Sequence, residues 1–193
     1  MEITTDVLKQ LRDKTGVSVM QCKKALEEAD GDLAKAEVIL KKRSGAVAEK
    51  KADRTLGAGV VASYIHDGSI GALVLLSCET DFVARNPEFP ELAKAIAMHI
   101  AATDPKYGTA DEVTPEAREA ATAVFSAEVE GKPEEMKEKI LAGKLASYFR
   151  DQVLLEQPYI KDESKTIRDL LNEATQKFGE RVEVSRFARF SAR

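Results

Sequence analysis

Cysteine and histidine are scarce in this sequence, with two of each among 193 residues. Cys22 and Cys78 stand far apart in apolar surroundings, and neither belongs to a CxxC pair. Such thiols act as small core hydrophobes in a reducing compartment and do not form a disulfide framework. His66 falls in a turn and His99 on a helix face, and no Cys/His cluster has metal-ligand spacing, so neither a metal nor a cofactor is expected. Also missing are a GxxxxGK[ST] loop, a GxGxxG following a strand and an HExxH helix. Without a phosphate cradle of its own, the protein is expected not to bind nucleotide directly. No apolar run reaches the roughly 18 residues of a membrane span. Met1 leads almost directly into a helical pattern, leaving no room for a signal or transit peptide, so a cytoplasmic protein or a matured organellar one is expected. Basic charge is in deficit too: the net charge of -4 speaks against a general nucleic-acid binder. The one basic stretch, Lys41, Lys42, Arg43, Lys50, Lys51 and Arg54, faces only Glu49 and Asp53 and reads first as a solvated helix face or linker.

What is present is an ordinary globular pattern, 44% hydrophobic and 32% charged. Residues 1–43 predict three short helices. Thr4 or Thr5 caps the first and Gly16 ends it. Ser18-Val19-Met20-Gln21 fits a capping box for the second, with Val17 and Cys22 as its hydrophobic staple. Asp30-Gly31-Asp32 separates the second from the third. Residues 44–57 read as a charged, partly helical connector. Two β-rich runs, Val60–Ile65 and Ile70–Cys78, then flank His66-Asp67-Gly68-Ser69, a strong hairpin signal. The second run is apolar on both faces and is expected in the middle of a sheet.

Helices are predicted from about Pro90 to Thr103, from Thr114-Pro115, from Lys132-Pro133 toward Glu156, and from a Ser164 cap to Gly179. A late strand over Val182–Phe190 is expected to join the hairpin. The fold class is therefore α+β: an N-terminal three-helix bundle followed by a small three-stranded antiparallel sheet covered by helices. The expected domains are 1–43, the linker 44–57 and the core 58–193.

Chemistry concentrates where the central strand ends. Glu79-Thr80-Asp81-Phe82-Val83-Ala84-Arg85-Asn86 leaves the sheet at a strand end, a usual place for a functional loop. Phe82 and Val83 are apolar but lie among charged residues, outside any periodic run. One reading has Thr80 or Asp81 capping a helical turn with Phe82 folded back onto the core. The other has Phe82 projecting as an anchor for a partner's pocket, where burying a Phe is worth roughly 1.5–3 kcal/mol.

Several segments taken together carry a resemblance. They are Leu11–Gly16 with Met20–Leu26 and Gly31-Asp32; Cys78–Asn86; Ile96–Ala102; and Gly131-Lys132-Pro133 with Leu154–Tyr159. In this order, over essentially the whole chain, they resemble the elongation factor Ts family. The resemblance implies a nucleotide exchange factor that makes no covalent bonds and acts on GDP-bound elongation factor Tu. It implies that Thr80, Asp81, Phe82 and Val83 dislocate the partner's Mg²⁺, Phe82 as a wedge and Asp81 as a polar lever. The bundle resembles the ubiquitin-associated type, with Arg12, Val19 and Met20 as partner contacts. Val19 departs from the Met usual at its position. His99 reads either as a core histidine or, through the Ile96–Ala102 segment, as a partner contact. The length resembles the short, single-core-half form of the family, in which two chains pair, so a homodimer is expected. The late strand, with Phe187 and Phe190 on opposite faces, is the candidate seam. Ala188 stands where some short members have a bridging cysteine. Two readings from other classes compete: an adaptor using the bundle alone, which leaves the Thr80–Val83 loop without a role, and a thiol enzyme built on Cys78, which needs a base from His66 or His99.

Overall fold

The computed structural model describes residues 3–129 and 133–192; Gly131 and Lys132 of the quoted motif lie outside that range. Helix α1 (Thr5–Thr15) starts at Thr4, whose hydroxyl accepts the Val7 N–H, and ends at Gly16 with φ 65°. That left-handed stop is open to glycine without a Cβ penalty. Helix α2 (Val19–Glu28) is capped by Ser18 through the Gln21 N–H. The capping box forms only in half, because Gln21 Oε1 accepts from Gln176 Nε2 at 2.8 Å. Helix α3 (Leu33–Lys51) starts on the Asp32 carboxylate. Leu11, Val17, Cys22, Ala25, Leu26, Ala29, Ala36 and Leu40 make the shared core of these three helices.

The third helix outruns its expected end near residue 43 and takes up the first half of the connector. Ala46 to Lys51 are mostly good helix formers, and Ser44 bonds back to Lys41 O at 2.7 Å instead of breaking the helix. The basic stretch along it is largely spent on internal partners. Lys41 pairs with Asp169, Arg43 with Glu28 and Arg54 with Glu79, and Lys51 donates to Gly179 O.

Strands β1 (Ala58–His66) and β2 (Ile70–Cys78) form the hairpin. Asp67 and Gly68 both have positive φ, and Ser69 N–H donates to His66 O at 3.0 Å, the geometry of a two-residue turn matched to strand twist. The sheet order is β1-β2-β5 with β5 (Glu183–Ser191), antiparallel, so β2 is central as its two apolar faces require.

A single turn, α4 (Asp81–Ala84), follows β2, and α5 (Glu88–Thr103), α6 (Pro115–Glu128) and α7 (Glu134–Arg150) come next. The helix α7 stops at Arg150, short of the expected Glu156, because the backbone of residues 152–155 turns to bond with Lys106, Tyr107 and Gly108. Ser164 is not a helix cap. It lies in β4 (Asp162–Thr166), paired with the short β3 (Pro158–Tyr159), and its hydroxyl donates to Asp162 at 2.6 Å. The last helix, α8 (Ile167–Phe178), begins after that strand and ends at Gly179, φ 73°.

The chain divides into two compact units. One gathers the residues up to Ala62 with Leu75–Ala93 and Arg168–Ser185; the other gathers Ser63–Val74, Lys94–Ile167 and the remainder of β5. Among the described residues no helix is long and apolar enough to cross a membrane, and no group of His, Cys, Asp and Glu is arranged to hold a metal.

Candidate functional site

The segment after β2 is built on residues of the first unit. Cys78 is buried, and its thiol donates to Thr80 O at 3.2 Å. Burial, and next the charge of Glu180, push this thiol above its ordinary range. It therefore stays protonated near neutrality, the opposite of what a nucleophile needs.

Glu79 turns its carboxylate back into the protein, accepting the Arg181 N–H at 2.6 Å and Arg54 at 3.1 Å. Burial alone would raise this carboxyl, but the hydrogen bonds from Arg181 and Arg54 outweigh it and hold the group below its ordinary value. Arg181 also donates to Arg54 O at 2.8 Å and pairs with Glu183. Thr80 gives both its N–H and its hydroxyl to the Glu180 carboxylate, at 2.9 and 2.6 Å.

From this anchor the chain makes the single turn α4, and the side chains along it part ways. Val83 turns inward and is buried, while Asp81 and Arg85 face outward and pair at 3.1 Å. Phe82 is 83% exposed, the most exposed large hydrophobic side chain among the described residues. The helical turn expected of one sequence reading is therefore present, but Phe82 does not fold back onto the core.

The other residues singled out by the sequence divide in the same way. Arg12 is exposed on α1, and Val19 and Met20 are 45% and 64% exposed at the first turn of α2. His99 is the exception. Expected either as a core histidine or as a partner contact, it is fully buried in the second unit, where the core reading puts it. Gln157 Nε2 donates to Asp151 O at 2.6 Å, which leaves Gln157 Oε1 as the acceptor facing His99 Nε2 at 2.8 Å. His99 Nε2 therefore carries the proton and Nδ1 accepts the Ile160 N–H at 3.4 Å. Burial lowers the imidazole pKa below 6.5, so the ring is a neutral pillar between α5 and the turn after β3.

Sequence reasoning missed Glu180, Arg181 and Arg54 as supports of the loop. Their partners lie 100, 102 and 25 residues away along the chain, and no local pattern marks such pairs.

Comparison with known proteins covers nearly the whole chain. The sequence model of the family described as Elongation factor TS matches residues 4–193. The elongation factor Ts of Thermotoga petrophila is 48% identical over 191 residues, covering 98% of this chain and 96% of that protein. That of Coprothermobacter proteolyticus is 47% identical over 194 residues, covering 99% and 98%. That of Thermodesulfovibrio yellowstonii is 47% identical over 191 residues, covering 98% and 96%. With a match that runs through the bundle, the exposed Phe82 turn and the closing strand alike, the chain belongs to the elongation factor Ts family.

Proposed function

We propose that the chain serves translation elongation in the cytoplasm as a guanine nucleotide exchange factor. In this reading it binds elongation factor Tu in its GDP-bound form, disturbs the partner's Mg²⁺ site and promotes GDP release so that GTP rebinds. The observation that carries the reading is the 83% exposure of Phe82 on a turn whose neighbours Thr80 and Val83 are held by the protein. An aromatic side chain kept in water by a fixed backbone is ready to gain roughly 1.5–3 kcal/mol on entering a pocket, enough to favour a second conformation of a partner. Asp81 stands beside it, its carboxylate exposed and paired with Arg85. On displacing the elements that hold Mg²⁺, the diphosphate loses the main neutralisation of its charge and leaves. Weakening GDP in this way obliges GDP to weaken the factor's own binding by the same factor, which makes the process a displacement cycle. No bond is made or broken, and the protonated Cys78 thiol has no part in it.

The exposed residues Arg12, Val19 and Met20 give the bundle of residues 1–43 a surface with which to grip the partner. We assign dimerisation to the core, residues 58–193. Ile65, Leu73 and Phe190 are exposed and line an open apolar depression with Ser63 and Gly71. A second copy seated there would cover them by packing alone, as the alanine at position 188 requires.

The test is release of fluorescent GDP from elongation factor Tu in Mg²⁺ buffer. Catalytic amounts of the wild type are expected to speed release, and Phe82→Ala to lose most of this. A wild type that leaves release unchanged sinks the proposal. Equal acceleration by both proteins keeps exchange but removes Phe82 as the wedge.

A further inference from the structure

A loop that works by insertion gains from being held in its working shape beforehand, because ordering it on contact uses up free energy otherwise available to act on the partner. Phe82 gets no such hold from its own packing, since its side chain is 83% exposed. Nor is α4 capped in the usual way: the Thr80 hydroxyl does not accept an N–H of that turn but donates to Glu180 Oε1 at 2.6 Å. The Thr80 N–H donates to Glu180 Oε2 at 2.9 Å, so one carboxylate takes both donors of the residue that starts the loop. At the same junction the Glu79 carboxylate takes the Arg181 N–H at 2.6 Å. Each glutamate thus captures the backbone N–H of the residue that follows the other, and Arg54 closes on Glu79 from outside. Hydrogen bonds to a charged acceptor are the stronger kind, and two on one residue fix direction as well as distance.

We propose that Glu180 is the positioning residue of the loop: by clasping Thr80 through both donors it keeps α4 seated and Phe82 presented before the partner arrives. This rests on the exchange reading given above. Glu180 does not touch the partner in this role; it acts through Thr80. An amide at position 180 would set an NH₂ group against one of the two Thr80 donors, because an amide has one accepting oxygen where a carboxylate has two.

The experiment measures GDP release from elongation factor Tu across a range of factor concentrations for wild type, Glu180→Gln and Thr80→Val. It is combined with hydrogen exchange at the Thr80 amide in the free proteins. Glu180→Gln is expected to lower the saturating release rate about tenfold, the scale of losing a hydrogen bond to a charged group, while the half-saturating concentration stays within about twofold. Its Thr80 amide is expected to exchange about tenfold faster than in wild type. Thr80→Val, which removes one donor of the two, should lower the saturating rate by less and keeps the test open if Glu180→Gln folds poorly. An active wild type alongside a Glu180→Gln variant with an unchanged saturating rate overturns the clasp and leaves the exchange reading intact. A Glu180→Gln variant altered only in half-saturating concentration or thermal stability also overturns it. An inert wild type overturns the exchange reading and the role of the clasp together.

Discussion

Two segments of this chain carry family motifs of similar length, Cys78–Asn86 and Ile96–Ala102, and the fold treats them in opposite ways. The first is pinned by ionic hydrogen bonds at its root and leaves Phe82 and Asp81 in water. The second is enclosed, with Ile96 and Ile100 in the core and His99 satisfied by neutral hydrogen bonds to Gln157 and the Ile160 backbone. A motif therefore says that certain residues belong together, without saying which of them meets a partner. That depends on where the fold puts each side chain: His99 is buried with both ring nitrogens bonded, and Phe82 is left in water.

Substitution is the most direct way to break this contrast. His99→Ala is expected to lower unfolding free energy by about 2–4 kcal/mol, because it opens a cavity and strips Gln157 and the Ile160 N–H of a buried partner. Urea titration checks this, and a loss under about 1 kcal/mol would mean that the His99 site tolerates solvent. The contrast also runs between neighbours within one turn. Val83→Ala should destabilise by about 1.5–3 kcal/mol, and Phe82→Ala should leave stability within about 0.5 kcal/mol while lowering exchange about 10- to 100-fold. Equal destabilisation by the two would mean that the Phe82 ring packs on the protein in solution.

Acid separates the two segments by pH window. The pKa of His99 is lowered in the folded state, so the unfolded chain binds the extra proton. The stability it contributes is complete above 6.5 and is lost as pH falls from there through the folded-state value. Glu79 is also lowered, so its contribution is present above 4.5 and disappears only below that. Melting temperature followed from pH 7.5 downward should fall first in the histidine window, and His99→Gln should flatten that part of the curve alone. A wild-type curve that stays level until the carboxylate range would rule out a neutral buried His99. The smallest effect belongs to Asp81→Asn. The exposed Asp81–Arg85 pair is worth under about 0.5 kcal/mol, so the melting curve should barely move while GDP release slows. A clear drop in stability would show that Asp81 holds α4 together and is not free to act on a partner.

Much of the fold was legible because its signals are local. Thr4, Ser18, Asp32 and Thr114 cap the helices they precede, Gly16 and Gly179 stop the helices before them, and Asp67-Gly68 turns the hairpin. The differences came partly from distant partners, at Gln21 and at the end of α7, and partly from local contacts that the pattern did not mark, at Ser164 and Ser44. Gln21 left its capping box for Gln176, Ser164 went into a strand, α3 ran through Ser44-Gly45, and α7 stopped where its successor residues met the Lys106–Gly108 backbone.

For function the division is similar. The sequence by itself determined the family, the absence of a nucleotide-binding motif and the segment in which Phe82 lies, because these depend on residue identity and order. Only the tertiary structure decided that Phe82 faces water, that Val83 and His99 do not, and that Glu180 reaches back across the chain to Thr80. Exposure and long-range hydrogen bonding depend on which residues far apart in sequence arrive side by side, and no spacing along the chain records that.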